Sequence, residues 1–211
     1  MRFGVNIFNN NQKGRSMVEM LGVLAIIGVL SVGSIAGYTN AMKKYKLNQH
    51  AQAINLLLNN LLQAKDTLPK PEAGTTLYYG DMLEKLKLLP DGIVRLSNSS
   101  LRDKYFKISV TPYHNRVSGQ DFGGLGFSFS NQVNYMVDIC RNVVWAAKEN
   151  AANLWLLETG IEGGYTGYTY GNSYCNDQGK KCLSKINLND IDELCKVCEN
   201  DKPCSLYVLW K

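Results

Sequence analysis

Only two histidines, His50 and His114, occur in the 211 residues, and that scarcity bears first on catalysis. General acid–base work uses histidine more than any other side chain, and no nucleophile–base–acid set stands out around these two. A membrane-anchored enzyme is the weaker expectation for that reason. No cysteine precedes Cys140, so any disulfide framework is confined to the C-terminal end. No charged residue falls between Glu19 and Lys43, a gap that excludes an ordinary amphipathic surface helix there. The glycines of Gly123-Gly124-Leu125-Gly126 are followed by no Lys-Ser/Thr pair and lead into a strand pattern, which excludes a phosphate-binding loop and reads as a hairpin turn.

What is present points to a folded chain. The apolar share is 45% and the charged share 19%, ordinary values that argue against bulk disorder. The length suits one compact domain. The net charge of +5 includes Arg2 and Lys13 near the start and a knot at Lys43, Lys44 and Lys46. Such a knot directly after an apolar run is a juxtamembrane pattern at least as much as a nucleic-acid one.

The run itself is MVEMLGVLAIIGVLSVGSIAGY, residues 17–38, with Glu19 as its one charge. About 20 apolar residues suffice to cross a bilayer as a helix. An intramembrane carboxylate costs about 3 kcal/mol at the bilayer centre and is normally paired. Gly14 and Arg15 supply the partner: a cut between them creates an amine on Arg15, about 6 Å along a helix from Glu19 at about 1.5 Å per residue. In a low-dielectric packing core the carboxylate would neutralise that amine or a neighbour's.

The stretch GRSMVEMLGVLAIIGVLS, beginning at Gly14, resembles the prepilin cleavage and methylation motif of type IV pilins and type II secretion pseudopilins. The likeness covers the N-terminal part of the chain, with Gly14, Glu19 and Ala-Ile-Ile-Gly at the family's offsets. It implies that a membrane aspartyl prepilin peptidase cuts after Gly14 and methylates Arg15. The family commonly has Phe directly after the cut, where this chain has Arg15. The 14-residue leader and non-Phe start look more like the type IVb branch. The resemblance further implies self-assembly into a filament, an inner-membrane assembly platform driven by an ATPase, and a single-pass inner-membrane precursor with a periplasmic head. That precursor would then enter an extracellular pilus or a periplasmic pseudopilus.

Beyond the apolar run, residues 42–65 contain neither Pro nor Gly, and Leu47, Ala51, Ile54, Leu58 and Leu61 form one helical stripe. Thr67-Leu-Pro-Lys-Pro71 ends the helix. The expected head has a short strand at 75–79, a helix at 80–89, a turn at Pro90-Asp91-Gly92, and strands at 93–96, 105–110 and 123–130. A helix at 131–157 follows, with Cys140 on its apolar stripe. A Gly/Tyr-rich loop or irregular ribbon at 160–171 carries tyrosines suited either to subunit and receptor contacts or to covering the sheet. A short helix at 187–200 is expected to be capped by Asn189 with Asp192 in its first turn, and a terminal strand at 205–210 ends the chain.

The six cysteines, Cys140, Cys175, Cys182, Cys195, Cys198 and Cys204, suit disulfides in an oxidising compartment. Their spacing matches no familiar zinc pairing. Cys195-x-x-Cys198 falls near a helix end, outside the βαβ context of a redox motif. Neither a metal nor a cofactor is called for. Cys175 to Cys182 is the favoured local loop, with Cys195 and Cys198 reaching Cys140 and Cys204 in either order. The pilin resemblance implies that a disulfide around Cys198 and Cys204 ties the last segment to the sheet.

The expected architecture is therefore α+β, a pilin fold with a long N-terminal helix packed on an antiparallel sheet, a second helix and a disulfide-tied C-terminal region. Its divisions are a leader at 1–14, an apolar helix half at 15–38, an amphipathic half at 39–66 and a head at 67–211, cysteine-rich from about residue 172. The expected role is structural. The alternative is a minor or tip subunit that binds DNA or a surface receptor, although nucleic acid is not specifically indicated.

Overall fold

The computed structural model describes residues 17–130, 135–161, 164–176, 179–199 and 203–211. The chain divides into two compact units, one ending at Lys44 and one running from Tyr45 to Lys211. Within the first, every described residue from 17 to 41 is solvent-exposed and lies in the helix α1 (Met17–Ala64). Gly22, Gly28, Gly33 and Gly37 interrupt this part, each costing about 1 kcal/mol relative to Ala in a water-exposed helix. Among the described residues nothing lies within 4 Å of where their Cβ atoms would be. Small residues in apolar helices let another helix approach closely. The hydroxyls of Ser31 and Ser34 donate to the carbonyls of Ile27 and Leu30, each at 2.7 Å. These two hydroxyls are thereby satisfied within the helix itself.

The second unit begins with the rest of α1, where the pattern turns amphipathic and Ala53, Ile54, Leu57, Leu58 and Leu61 are buried. Leu47 and Ala51, expected on the same stripe, are half-buried. The helix stops at Ala64, whose carbonyl accepts the backbone N–H groups of Thr67 and Leu68 and the Thr67 hydroxyl. Asparagines fasten this segment to the head. Asn60 donates to the Leu88 carbonyl at 2.8 Å, Asn55 donates to Glu149 at 2.7 Å, and Asn142 donates to the Leu47 carbonyl at 2.9 Å.

Among the described residues the head is built on one antiparallel sheet of eight strands: β1 (Thr75–Tyr78), β2 (Ile93–Arg95), β3 (Leu101–Asp103), β4 (Ser109–Arg116), β5 (Phe122–Phe129), β6 (Leu156–Ile161), β7 (Gly164–Tyr170) and β8 (Cys204–Trp210). The order is β2-β3-β4-β5-β8-β6-β7, and β1 shares the β3 side of β4. The chain's last strand thus sits inside the sheet, paired on both sides. Pro112 lies in β4 between the stretch that pairs with β3 and the stretch that pairs with β1, where its missing N–H leaves no ladder bond unmade. One face of the sheet, carrying Leu125, Phe127, Leu157, Leu206, Val208 and Trp210, shares a core with α1 and with α3 (Met136–Glu149). The helices α2 (Gly80–Lys85) and α4 (Leu188–Cys195) complete the unit.

The sequence reading needs correction at several elements. The helix expected at 80–89 ends at Lys85, because Lys87 takes a left-handed φ of 56°. The strand expected at 105–110 is a turn over most of that range. Asp103 accepts the Phe106 N–H through its carboxylate and the Lys107 N–H through its carbonyl, so β3 and β4 flank a loop where one strand was expected. The helix expected at 131–157 is α3; residues 131–134 lie outside the described ones, and the helix gives way after Glu149 so that Leu156 and Leu157 open β6. Of the loop and irregular ribbon expected for the Gly/Tyr-rich segment, the ribbon is found: its described residues belong to β6 and β7, paired antiparallel with a register shift between Thr159 and Gly160. The short helix is α4, capped by Asn187 and not Asn189. Asn187 accepts from the Asp190 N–H at 3.1 Å while its own N–H donates to the Asp190 carboxylate at 2.8 Å. Cys198 follows it in a tight 3-10 turn (Lys196–Cys198).

Gly123, Gly124 and Gly126, read from sequence as a hairpin turn, lie inside β5. A Cβ on Gly123 would stand 2.3 Å from the Trp210 indole nitrogen, and one on Gly124 would stand 2.7 Å from Leu209 and 2.9 Å from the Tyr113 ring. The glycines make room for large side chains of the neighbouring strands to lie across the sheet. The reversal into β5 comes earlier, at Ser118 and Gly119, both at positive φ.

Candidate assembly helix and disulfide-tied head

Glu19 lies near the start of the described part of α1, and its side chain belongs to the exposed apolar stretch. Gly14 and Arg15, the expected cleavage and methylation positions, lie outside the described residues. Around Glu19 the surface is apolar, with Met20, Val23 and Leu24 all exposed. From Met17 to Ile35, side chains such as Val18, Val29 and Val32 are 70% exposed or more. Burying a large aliphatic side chain is worth about 2 kcal/mol, so sequestering a dozen of them is worth on the order of 20 kcal/mol by the same scale. By length and composition the helix is capable of crossing a membrane.

In the head, the structure brings all six cysteines together in pairs: Cys140 with Cys195, Cys175 with Cys182, and Cys198 with Cys204. The favoured local loop is present, and the open choice at Cys195 and Cys198 resolves in one direction. Cys140, in the second turn of α3, takes Cys195 because α3 and α4 pack side by side. Arg141 bridges the same two helices, donating to Asp138 at 3.0 Å and to Asp192 at 2.8 Å. Cys198, one turn further on, is left to meet Cys204 at the start of β8. At the other end of β8, Lys65 donates to the carbonyl of Lys211 at 3.1 Å, tying the last residue to the end of α1. Lys211 in turn sits over the Trp155 ring at 3.8 Å.

His50, one of the two histidines, is fully buried under α3. Its Nδ1 lies 3.2 Å from the Asn142 amide and its ring meets Phe106 edge-on at 5.7 Å. Burial pulls its pKa down to about 4, so the ring is neutral and acts as packing. His114 pairs with Asp121 at the edge of β4, and that contact holds the Asp121 carboxyl below its ordinary range. The two histidines serve separate parts of the fold.

Sequence reasoning did not find the register of the tyrosines. On the outer face of the sheet, opposite the main core, Phe122, Leu156 and Leu209 form a small second cluster, with Tyr113, Trp155, Tyr170 and Tyr207 packed against it. The alternation of Tyr with Gly and Thr in 164–170 is the one signal in the sequence that pointed to this strand. No protein-family model matches the chain, and no curated protein is significantly similar to it.

Proposed function

We propose that the chain is a structural subunit of a type IV pilus-like or type II secretion filament, made as a precursor that is cut after Gly14. The observation that carries this reading is Glu19, a lone carboxylate in an otherwise apolar stretch of α1, residues 17–38, that is exposed on every side. Two needs meet there. The apolar surface has to leave water, first into a bilayer and then among copies of the same helix, and the carboxylate has to find a cation once it does. A new amine at Arg15 satisfies the second need. Two unit charges about 4 Å apart attract by about 4 kcal/mol at an effective dielectric of 20. A subunit sliding into the filament core gains that amount only when its carboxylate is level with an amine, so the pair sets the axial register while apolar burial supplies the bulk of the affinity. The glycines of the helix allow close approach, and the three disulfides lock a head that stays outside the core.

Two variants expressed in the native host test this. Glu19→Ala is expected to be processed to the same mobility as wild type and to yield at least about tenfold fewer filaments, the ratio that about 1.4 kcal/mol represents. Gly14→Val is expected to remain at precursor size. Wild-type filament yield from Glu19→Ala would refute the pairing, and normal processing of Gly14→Val would refute the peptidase.

A further inference from the structure

The outer face of the sheet carries a second candidate site. Glu158 of β6 stands on that face, directly opposite Tyr207 of β8 on one side and Tyr168 of β7 on the other. Its neighbour on the same face of β6 is Gly160, paired with Tyr165. Tyr165 and Tyr168 are three positions apart and would face opposite ways in a regular strand. The pairing shifts between Thr159 and Gly160, so that Thr166 is the extra residue of a β-bulge, its hydroxyl donating to the Thr159 carbonyl at 3.2 Å. The bulge turns both tyrosines to the same face. The Tyr165 ring then lies 6.2 Å from that of Tyr168 and 5.8 Å from that of Tyr207. Three rings therefore share the face of Glu158, two of them on the residues paired directly with it.

The carboxylate has no cation of its own: among the described residues no Lys or Arg pairs with Glu158, and none lies over Tyr165, Tyr168 or Tyr207. Elsewhere on the head the aromatics do carry cations, Lys211 over Trp155 and Lys180 over Tyr170 at 5.2 Å. Glu158 is half-buried, and burial pushes its carboxyl above the ordinary range. The Tyr165 phenol is also pushed up, first by burial and then by the Glu158 charge. From Tyr165 and Tyr207 an open groove of about 470 Å³ leads past Ser128 and Ser205.

We propose that Glu158, Tyr165, Tyr168 and Tyr207 form a binding site for the trimethylammonium group of a small soluble molecule. A partly desolvated carboxylate among ring faces attracts a cation, and the rings favour one that is weakly hydrated and apolar on its surface, as a quaternary ammonium is. A lysine ammonium is compact and strongly hydrated, with three protons to satisfy, and suits the site less. The groove beyond Tyr207 accommodates the remainder of the ligand and its polar tail. This assignment stands independently of the filament reading.

Calorimetric titration of the full chain in a maltoside detergent tests it, with choline and glycerophosphocholine as probes and chloride concentration held fixed. Saturable binding of either probe is expected; tighter binding of the glycerol ester would mark a headgroup-derived ligand and free choline a metabolite. The uncharged isostere 3,3-dimethylbutan-1-ol and the primary amines ethanolamine and acetyl-lysine methylamide are each expected to bind at least tenfold more weakly. Glu158→Gln, isosteric at a half-buried side chain, and Tyr165→Leu, at an exposed one, are expected to weaken choline at least tenfold while leaving the circular dichroism spectrum unchanged. Absence of saturable binding would overturn the proposal, as would equal binding of the uncharged isostere or indifference to both substitutions. Tighter binding of acetyl-lysine methylamide would overturn it in favour of a lysine from a second copy of the chain.

Discussion

His50 shows how one residue couples burial to pH. Its folded pKa of about 4 lies below the ordinary value of 6.5, so the unfolded chain binds a proton more readily than the folded one. Above pH 6.5 both states are neutral and stability does not depend on this group. Between pH 6.5 and about 4 the unfolded state gains charge first, and stability falls by at most about 1.4 kcal/mol per pH unit, roughly 3 kcal/mol in all. Chemical denaturation of wild type and His50→Gln across that window is expected to show a steeper decline for wild type. Parallel curves would contradict the burial of a neutral ring. Gly123 makes a second claim at this scale. A methyl group there meets the Trp210 indole, which is 3% exposed, so Gly123→Ala is expected to cost about 1–3 kcal/mol by overpacking, read as a lowered denaturation midpoint at unchanged slope. That glycine reads from sequence as a turn because its reason is the size of a residue 87 positions away, and local pattern carries no information about such a neighbour.

Among the elements, those with strong local periodicity were legible. The apolar run and the stripe of α1, the alternation in β5 and the apolar repeat of α3 all follow from spacing. What escaped was set by tertiary partners. Leu156 and Leu157 continue a helical pattern in the sequence but pair with β8, and the Gly/Tyr segment has the composition of a loop but forms an edge strand because β6 offers it a ladder. The cysteines were legible as disulfides and only partly as pairs, since the choice between Cys195 and Cys198 depends on how α4 lies against α3. That pairing has an energetic order. By the chain-entropy account, closing the loop between Cys140 and Cys195, 55 residues apart, is worth about 4 kcal/mol. The loop between Cys198 and Cys204, 6 residues apart, is worth about 2 kcal/mol. Paired Cys→Ala replacement at 140 and 195 is expected to lower the unfolding free energy more than the paired replacement at 198 and 204. The reverse order would mean that local strain or unfolded-state structure outweighs loop length here.

At the scale of the whole molecule, one chain carries two surfaces with opposite requirements. The first unit exposes an apolar helix with a single acid, a surface that water does not tolerate over that length. The second is a self-sufficient α+β head whose last strand is inserted between earlier ones and whose cysteines are all paired. The proposed filament reconciles them: apolar helices packed together inside, disulfide-locked heads outside, and a charge pair made by proteolysis to set the register. The site proposed for it, Gly14, Arg15 and Glu19, rests on local residue order near the N-terminus and so on the sequence alone, whereas the tyrosines around Glu158 required the register of three strands. The most direct test of the filament account is the N-terminal residue of the mature protein isolated from its native host, determined by mass spectrometry. The account predicts a chain that starts at Arg15; a mature chain that still starts at Met1 would contradict it.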